Sequence, residues 1–217
     1  APNLYHLSYG MVNLPDGRMK SREGTVVDAD DLLDSLRDLA LEEIRQRERE
    51  ESLEKPAEIA EAVALGALHY YLLQVSAQKD MVFNPKESLS FNGNTGPYLQ
   101  YMLARIYSML AKAQAQGIKE EELQPGLLQD DAEWALAKLA SQYGEVLAHC
   151  AQRMDPSILT AWIYDFSKAF SRFYHDCPIL SAGDKALRNA RLVLVKKVLA
   201  LLEDALQLIC IPVLKAM

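Results

Sequence analysis

Three groups of residues in this 217-residue chain have the chemistry to bind anionic ligands, and the first is a short basic loop near the start. It contains Arg18, Lys20, Ser21, Arg22 and Gly24. Cations together with free backbone N–H groups beside a glycine suit a phosphate group. Short basic loops are also common as solvated turns, and the chain has neither a GxxxxGK[ST] nor a GxGxxG motif. The loop alone therefore leaves phosphate binding and a plain turn both open.

The second group lies on a helix predicted to begin near Pro97, directly after a glycine-containing loop, because proline suits the first turn of a helix. Tyr98, Tyr101 and Arg105 share one side of this helix. Tyrosine and arginine on one side can stack on bases and bind phosphates. The alternative is that the tyrosines are packing residues with solvated hydroxyls. The other side carries residues predicted to be core, namely Leu99, Leu103, Ile106 and Leu110.

A further basic region lies near the end of the chain. Between residues 157 and 197 seven lysines or arginines stand against three acidic residues, although the whole chain has a net charge of −7. Lys185, Arg188 and Arg191 recur every three residues and are predicted to reach one ligand. A local reversal of charge favours an anionic partner, whereas the total charge does not. The alternative is that these cations are only solvated and that the aromatic residues upstream fill the core.

The elements that must position these residues are mainly helices. Four amphipathic segments begin near residues 97, 130, 156 and 184, and short loops join them. This pattern predicts an antiparallel helical bundle. Upstream, residues 4–14 are rich in strand formers and end in a Pro-Asp-Gly turn, and two helices are predicted to follow. The fold is therefore predicted to be mainly α, with a small β-hairpin and helices before the bundle.

Composition limits the remaining possibilities. Half of the residues are apolar, which is enough for a sizeable core. Cys150, Cys177 and Cys210 lie far apart and are expected to be buried thiols in a reducing compartment. The histidines show no zinc spacing, so we expect no metal site, and no segment is long and apolar enough to predict a membrane span. The chain starts without methionine inside a strand-like segment, so we expect a fragment whose front half is missing.

Three stretches resemble the C-terminal half of arginyl-tRNA synthetases, which are class I aminoacyl-tRNA synthetases. They read HLSYGMVNLPDGRMKSREGTVV, GNTGPYLQY and ALRNARLVLVKKVLALLEDALQLICIPVLKAM. The resemblance covers essentially the whole chain. It implies three parts: residues 1–55 as the end of a Rossmann-type catalytic domain, residues 56–96 as a connection, and residues 97–217 as a helical anticodon-binding domain of the DALR type.

The first stretch is the counterpart of the family's KMSKS loop, which binds the phosphates of ATP. Its five positions run from Arg18 to Arg22, with arginine at the first and serine at the fourth position, where the family has lysine. The resemblance implies that Arg18, Lys20 and Arg22 act in catalysis by stabilising phosphate charge. It also implies that Met19, Ser21 and Gly24 line the ATP site, and that Mg²⁺ accompanies ATP in the parent enzyme.

The resemblance also implies tRNA contacts in the helical domain. Ala186-Leu187-Arg188 matches part of the DALR signature, and the family often ends in methionine. Cys210 stands where glycine is common, so the end of the tail is expected to differ in shape. The residues expected to contact tRNA are Tyr98, Gln100, Tyr101, Arg105, Lys185, Arg188, Arg191 and Met217.

The function expected from the resemblance is that of a fragment of an arginine–tRNA ligase, which joins arginine to its tRNA and converts ATP to AMP and pyrophosphate. The HIGH motif and the arginine pocket lie upstream in the family, so the fragment alone is expected to be inactive. We expect a cytoplasmic monomer. Two alternatives stay open: a fragment of another class I synthetase, such as the cysteinyl enzyme, and a non-catalytic helical module whose basic face meets an acidic protein.

Overall fold

The computed structural model describes residues 4–15, 28–46, 55–118 and 124–217. The predicted phosphate loop falls outside these residues. The catalytic and ATP-site predictions for Arg18, Met19, Lys20, Ser21, Arg22 and Gly24 therefore remain predictions.

Two short strands and three helices form the described N-terminal part. They are β1 (Val12–Asn13), α1 (Ala29–Gln46), α2 (Pro56–Leu73), β2 (Met81–Val82) and α3 (Pro85–Ser88). β1 pairs in parallel with β2, with Val12 opposite Met81. Two parallel strands need a long crossover connection between them, and α1 and α2 lie within this connection. Of the turn predicted at residues 15–17, only Pro15 lies in the described range, so the predicted hairpin remains a prediction.

Five helices form the bundle described beyond residue 95. They are α4 (Gly96–Ala115), α5 (Asp131–Ser141), α6 (Tyr143–Arg153), α7 (Ser157–Asp176) and α8 (Lys185–Leu208). Side-chain caps mark the predicted starts of α4 and α8. The Thr95 hydroxyl accepts the N–H of Tyr98 at the start of α4, and the Asp184 carboxylate accepts the N–H of Ala186 at the start of α8.

One predicted helix, from residue 130 to about 154, is divided into α5 and α6. The carbonyl of Leu139 accepts the indole N–H of Trp162 at 3.0 Å and the N–H of Gln142 at 3.1 Å. The Leu139 carbonyl thus accepts from the N–H three residues later, as in a tightened helical turn, and also from an indole of another helix. Gly144, just beyond this turn, is a poor helix former. The break therefore comes from a tertiary contact that periodicity does not reveal.

The bundle core joins α4, α7 and α8. Leu99, Leu103 and Ile106 are fully buried, as predicted, whereas Leu110 is only partly buried against the same core. Its other large members include Phe166, Phe170, Phe173, Val195, Val198 and Leu202. Of the three cysteines, only Cys177 is buried. Cys210 is exposed, so the prediction of a buried thiol is wrong there.

The N-terminal helices and the bundle touch where α2 crosses α4. A Cβ atom added to Gly96 would overlap the carbonyl oxygen of Gly66. Only glycine permits this approach of two helix backbones. The crossing therefore fixes α4, the first helix of the bundle, directly on α2. None of the helices in the described ranges is both long and apolar enough to cross a membrane.

Candidate RNA-binding surface

Aromatic and cationic side chains from α4 and α7 meet on one side of the bundle. The Cζ atom of Arg105 lies 4.0 Å from the centre of the Tyr174 ring. The Tyr98 and Tyr164 rings meet edge to face, with centres 6.2 Å apart, and the Lys168 ammonium lies 5.4 Å from the centre of the Tyr164 ring. With Tyr101 these residues form what we call the aromatic–cation face: Tyr98, Tyr101, Arg105, Tyr164, Lys168 and Tyr174.

The two tyrosines of α4 differ in access to solvent. Tyr101 is 38% exposed, so its ring is available to a partner, whereas Tyr98 is half-buried. Burial raises the pKa of the Tyr98 hydroxyl, and the neighbouring Tyr164 phenol raises it further. Tyr98 thus remains a neutral hydrogen-bonding group. The alternative that the tyrosines are packing residues therefore applies largely to Tyr98 and hardly to Tyr101.

The α7 members of this face were not predicted as site residues. Trp162, Phe166, Phe170 and Phe173 are core, as expected for most aromatic residues of this helix, but Tyr164 and Tyr174 are half-buried. The residue types could have indicated this difference, because a tyrosine prefers the boundary between core and solvent, where its hydroxyl meets water, whereas a phenylalanine does not.

The structure corrects the prediction for Gln100. Its side chain is completely buried, and its amide Nε2 donates to the carbonyl oxygens of Ala62 and Pro212, each at 2.9 Å. Gln100 lies about 200° around the α4 axis from Tyr98, at 100° per residue, and thus away from the aromatic–cation face. Both amide hydrogens are used inside the protein, so we remove Gln100 from the RNA-contacting set.

Arg191 needs the same correction. The side chain of Arg191 is 10% exposed, and its Nε donates to Oε1 of Glu133 at 2.6 Å. Its Nη1 also donates to the carbonyl oxygen of Pro178 at 2.7 Å. Arg191 lies on the apolar line that Leu187, Leu194 and Val198 form along α8, and this spacing in the sequence already indicated a core position.

Lys185 and Arg188 lie at the start of α8, and their contact with tRNA stays a prediction. Lys185 is exposed, and Arg188 is half-buried, with its Nε atom shielded and without a hydrogen-bond partner. In the described part of the chain no acidic side chain forms an ion pair with either. A half-buried guanidinium without a counter-charge is electrostatically ready to accept an anion.

Met217 lies apart from the other predicted contacts. The tail passes along the Gln100 side of α4, and Met217 packs on the cluster of Ala40, Ile44, Ala60 and Val63 from α1 and α2. The predicted tRNA set is therefore divided into three places: the aromatic–cation face, the start of α8, and the tail beside α1 and α2. Among the described residues no group of three or more His, Cys, Asp or Glu side chains could hold a metal ion.

Family models place this geometry in a known context. Residues 99–217 match the model of the DALR anticodon binding domain. The chain belongs to this family. Residues 1–85 match the model of the catalytic domain of class I tRNA synthetases (R). The resemblance and the mainly helical fold predicted from the sequence are confirmed.

Individual relatives of this DALR family member agree. The arginine–tRNA ligase of Treponema denticola is 56% identical over all of this chain and 38% of its own length. That of Borrelia turicatae is 43% identical over 99% of this chain and 36% of its own length. The arginyl-tRNA synthetase structure from Thermus thermophilus superposes with a TM-score of 0.86, at 30% identity, over 98% of this chain and 35% of that one. The chain thus spans little more than a third of these relatives, and aligns with their C-terminal part.

Proposed function

We propose that this chain is the C-terminal part of an arginine–tRNA ligase and that its bundle binds the anticodon region of the arginine tRNA. The observation that carries the proposal is the aromatic–cation face, which lies on α4 and α7 in the part of the chain that matches the DALR anticodon binding domain. Exposed rings beside cations are the combination by which proteins hold unstacked bases of an RNA loop.

Each group on this surface has a separate task in the proposal. The Tyr101 ring offers a stacking platform for a base, because it is the more exposed of the two α4 tyrosines. Arg105, whose guanidinium lies over the Tyr174 ring, would offer its N–H groups to an RNA phosphate. Lys185 and Arg188 contact the RNA backbone from the start of α8. Met217 would contribute from the tail, on the side of α1 and α2.

The catalytic half of the proposal rests on the basic loop. Arg18, Lys20 and Arg22 would stabilise negative charge as it moves onto pyrophosphate, and Met19, Ser21 and Gly24 would shape the ATP site. ATP would enter with Mg²⁺, and arginine would bind in the part that the longer relatives have in addition. The 217-residue chain alone should then bind tRNA without charging it. We place the boundaries at residues 1–55, 56–96 and 97–217, and the protein in the cytoplasm as a monomer.

Equilibrium binding to two fluorescently labelled transcripts, the arginine tRNA and the cysteine tRNA, tests the proposal. The chain should bind the arginine tRNA more tightly at moderate salt, because its surface is matched to that anticodon loop. Equal or tighter binding of the cysteine tRNA would favour another class I synthetase. Binding to neither tRNA would favour a module for an acidic protein partner. Formation of arginyl-tRNA by the chain alone would contradict its assignment as a part that lacks the main active site.

A further inference from the structure

The tail after α8 is held in place by side chains of two other helices. The last backbone bond of the helix end runs from the N–H of Ile211 to the carbonyl of Leu206 at 2.9 Å, and residues 212–217 form neither helix nor strand. His69 of α2 places Nδ1 2.7 Å from the carbonyl oxygen of Cys210. Gln100 of α4 donates to the carbonyl oxygen of Pro212 at 2.9 Å. Two carbonyls, two residues apart, are thus bound from outside the tail.

The surroundings of the Gln100 side chain hold its amide in this position. Its Nε2 has two hydrogens and two acceptors, the carbonyls of Ala62 in α2 and Pro212 in the tail. A Cβ atom at Gly66 would lie 2.7 Å from the amide nitrogen and the amide oxygen of Gln100, so a side chain at residue 66 would displace it. One buried amide therefore joins α2, α4 and the tail at a single point.

His69 can make this contact only when its Nδ1 is protonated. Since a carbonyl oxygen accepts, Nδ1 must carry the proton when it contacts Cys210. Cys210 has a left-handed backbone, with φ of 57°, which turns the chain out of α8. An asparagine at residue 69 can place its amide nitrogen where Nδ1 lies, whereas leucine keeps the bulk and loses the donor.

The tail beyond these two contacts reaches the N-terminal helices. Leu214 and Met217 pack on Ala40, Ile44, Ala60 and Val63, and the Lys215 ammonium lies 5.6 Å from the centre of the Tyr107 ring. The tail is therefore held both by the two carbonyl contacts at Cys210 and Pro212 and by the packing of its last residues.

We propose that His69 and Gln100 are positioning residues, which hold the tail through the Cys210 and Pro212 carbonyls and so present Met217 to tRNA. The part that concerns tRNA rests on the proposed function; the docking of the tail does not. Neither side chain touches RNA. Each acts through the backbone of the tail, and the loss of either releases residues 210–217 from α2 and α4.

Hydrogen–deuterium exchange of a peptide covering residues 209–217, measured beside tRNA affinity, tests the inference on the 217-residue chain. Gln100→Met and His69→Leu should each speed exchange of the tail about tenfold, the change expected for one hydrogen bond, with α7 peptides unchanged. His69→Asn should return exchange close to that of the wild type. Gln114→Met, an exposed position on α4, is the matched control and should leave the tail as it is.

Affinity for the arginine tRNA transcript should fall in the same variants and recover in His69→Asn, because only the docked fraction binds. Wild-type exchange in both His69→Leu and Gln100→Met would overturn the inference. Faster tail exchange with undiminished affinity would overturn the link from tail to RNA while the proposed function stood. A wild-type chain that does not bind the transcript would instead refute the proposed function, and the exchange data alone would then decide the docking of the tail.

Discussion

The guanidinium of Arg191 and the carboxylate of Glu133 form an ion pair inside the bundle, with Nε 2.6 Å from Oε1. The other carboxylate oxygen accepts the N–H of Asp130 at 2.9 Å, which closes the capping box of α5. Arg191 also donates to the carbonyl of Pro178. One pair thus joins the start of α5, the end of α7 and the first half of α8.

Breaking this pair from one side should destabilise the fold strongly. Arg191→Met leaves the Glu133 carboxylate buried without its counter-charge, and we expect a loss of about 3–5 kcal/mol in the free energy of unfolding. Urea denaturation measures it. The double variant Arg191→Met with Glu133→Gln should recover much of the loss, because no charge stays buried. A single variant as stable as the wild type would show that the pair contributes little.

Gly96 should tolerate no side chain. In Gly96→Ala the new methyl group overlaps the carbonyl oxygen of Gly66, so α2 and α4 must move apart. The melting temperature should fall by several degrees or more, as for other overpacked sites that cost about 1–3 kcal/mol. Gly126→Ala, with no atom within 4 Å of the added Cβ, is the matched control and should melt like the wild type. Equal melting of both variants would contradict the close helix crossing.

Stability should depend on acid pH through Asp155, whose carboxylate accepts hydrogen bonds from Ser157 at the start of α7. Burial alone would raise the pKa of this carboxyl, but hydrogen bonds from the Ser157 side chain and backbone outweigh burial, and the pKa is lowered. The folded value lies below the unfolded value of about 3.9, so the stabilisation is complete above that pH and is lost as pH falls through the folded pKa.

Asp155→Asn keeps an acceptor for the Ser157 N–H and removes the titration. Chemical denaturation from pH 7 to pH 2.5 should therefore show Asp155→Asn less stable than the wild type at pH 7, with a smaller loss of stability in acid, so that the two proteins converge as the pH falls. Parallel curves for the two proteins would show that Asp155 does not contribute to the acid sensitivity.

Salt dependence should distinguish the two cations at the start of α8 from an exposed lysine elsewhere in the bundle. Lys185→Ala and Arg188→Ala should each reduce the slope of log affinity for tRNA against log salt by about 0.7, because one phosphate contact is lost. Lys138→Ala, an exposed position on α5, should leave the slope unchanged. An unchanged slope in both α8 variants would exclude this end of the helix from the RNA contact.

Much of the fold could be predicted from the sequence because local signals determine it. Caps at Thr95 and Asp184 and the apolar spacing of Leu99, Leu103 and Ile106 give the helices and their buried sides. The division of α5 from α6 could not be predicted, since the indole that causes it comes from Trp162 on another helix. The parallel pairing of β1 with β2 likewise joins residues almost seventy positions apart.

The candidate surface was predictable only in part. Tyr101 and Arg105 follow from helical spacing, whereas the placement of Tyr174 under Arg105 requires the packing of α7 on α4. Arg191 and Gln100 have side chains suited to RNA, but tertiary partners take their donors. The residue type shows which ligands a side chain can bind, but burial and partners within the protein determine whether its hydrogen-bonding groups are available to a ligand.

The most direct test of the account is the affinity of the chain for the anticodon stem–loop of the arginine tRNA, compared between the wild type and Tyr101→Ala by fluorescence anisotropy. Loss of the exposed ring should cost about 1–3 kcal/mol of binding, the range for one base stacked on an aromatic side chain. Tyr101→Phe, which keeps the ring, should bind nearly as the wild type does. Wild-type affinity in Tyr101→Ala would contradict the proposal that the aromatic–cation face holds the anticodon loop.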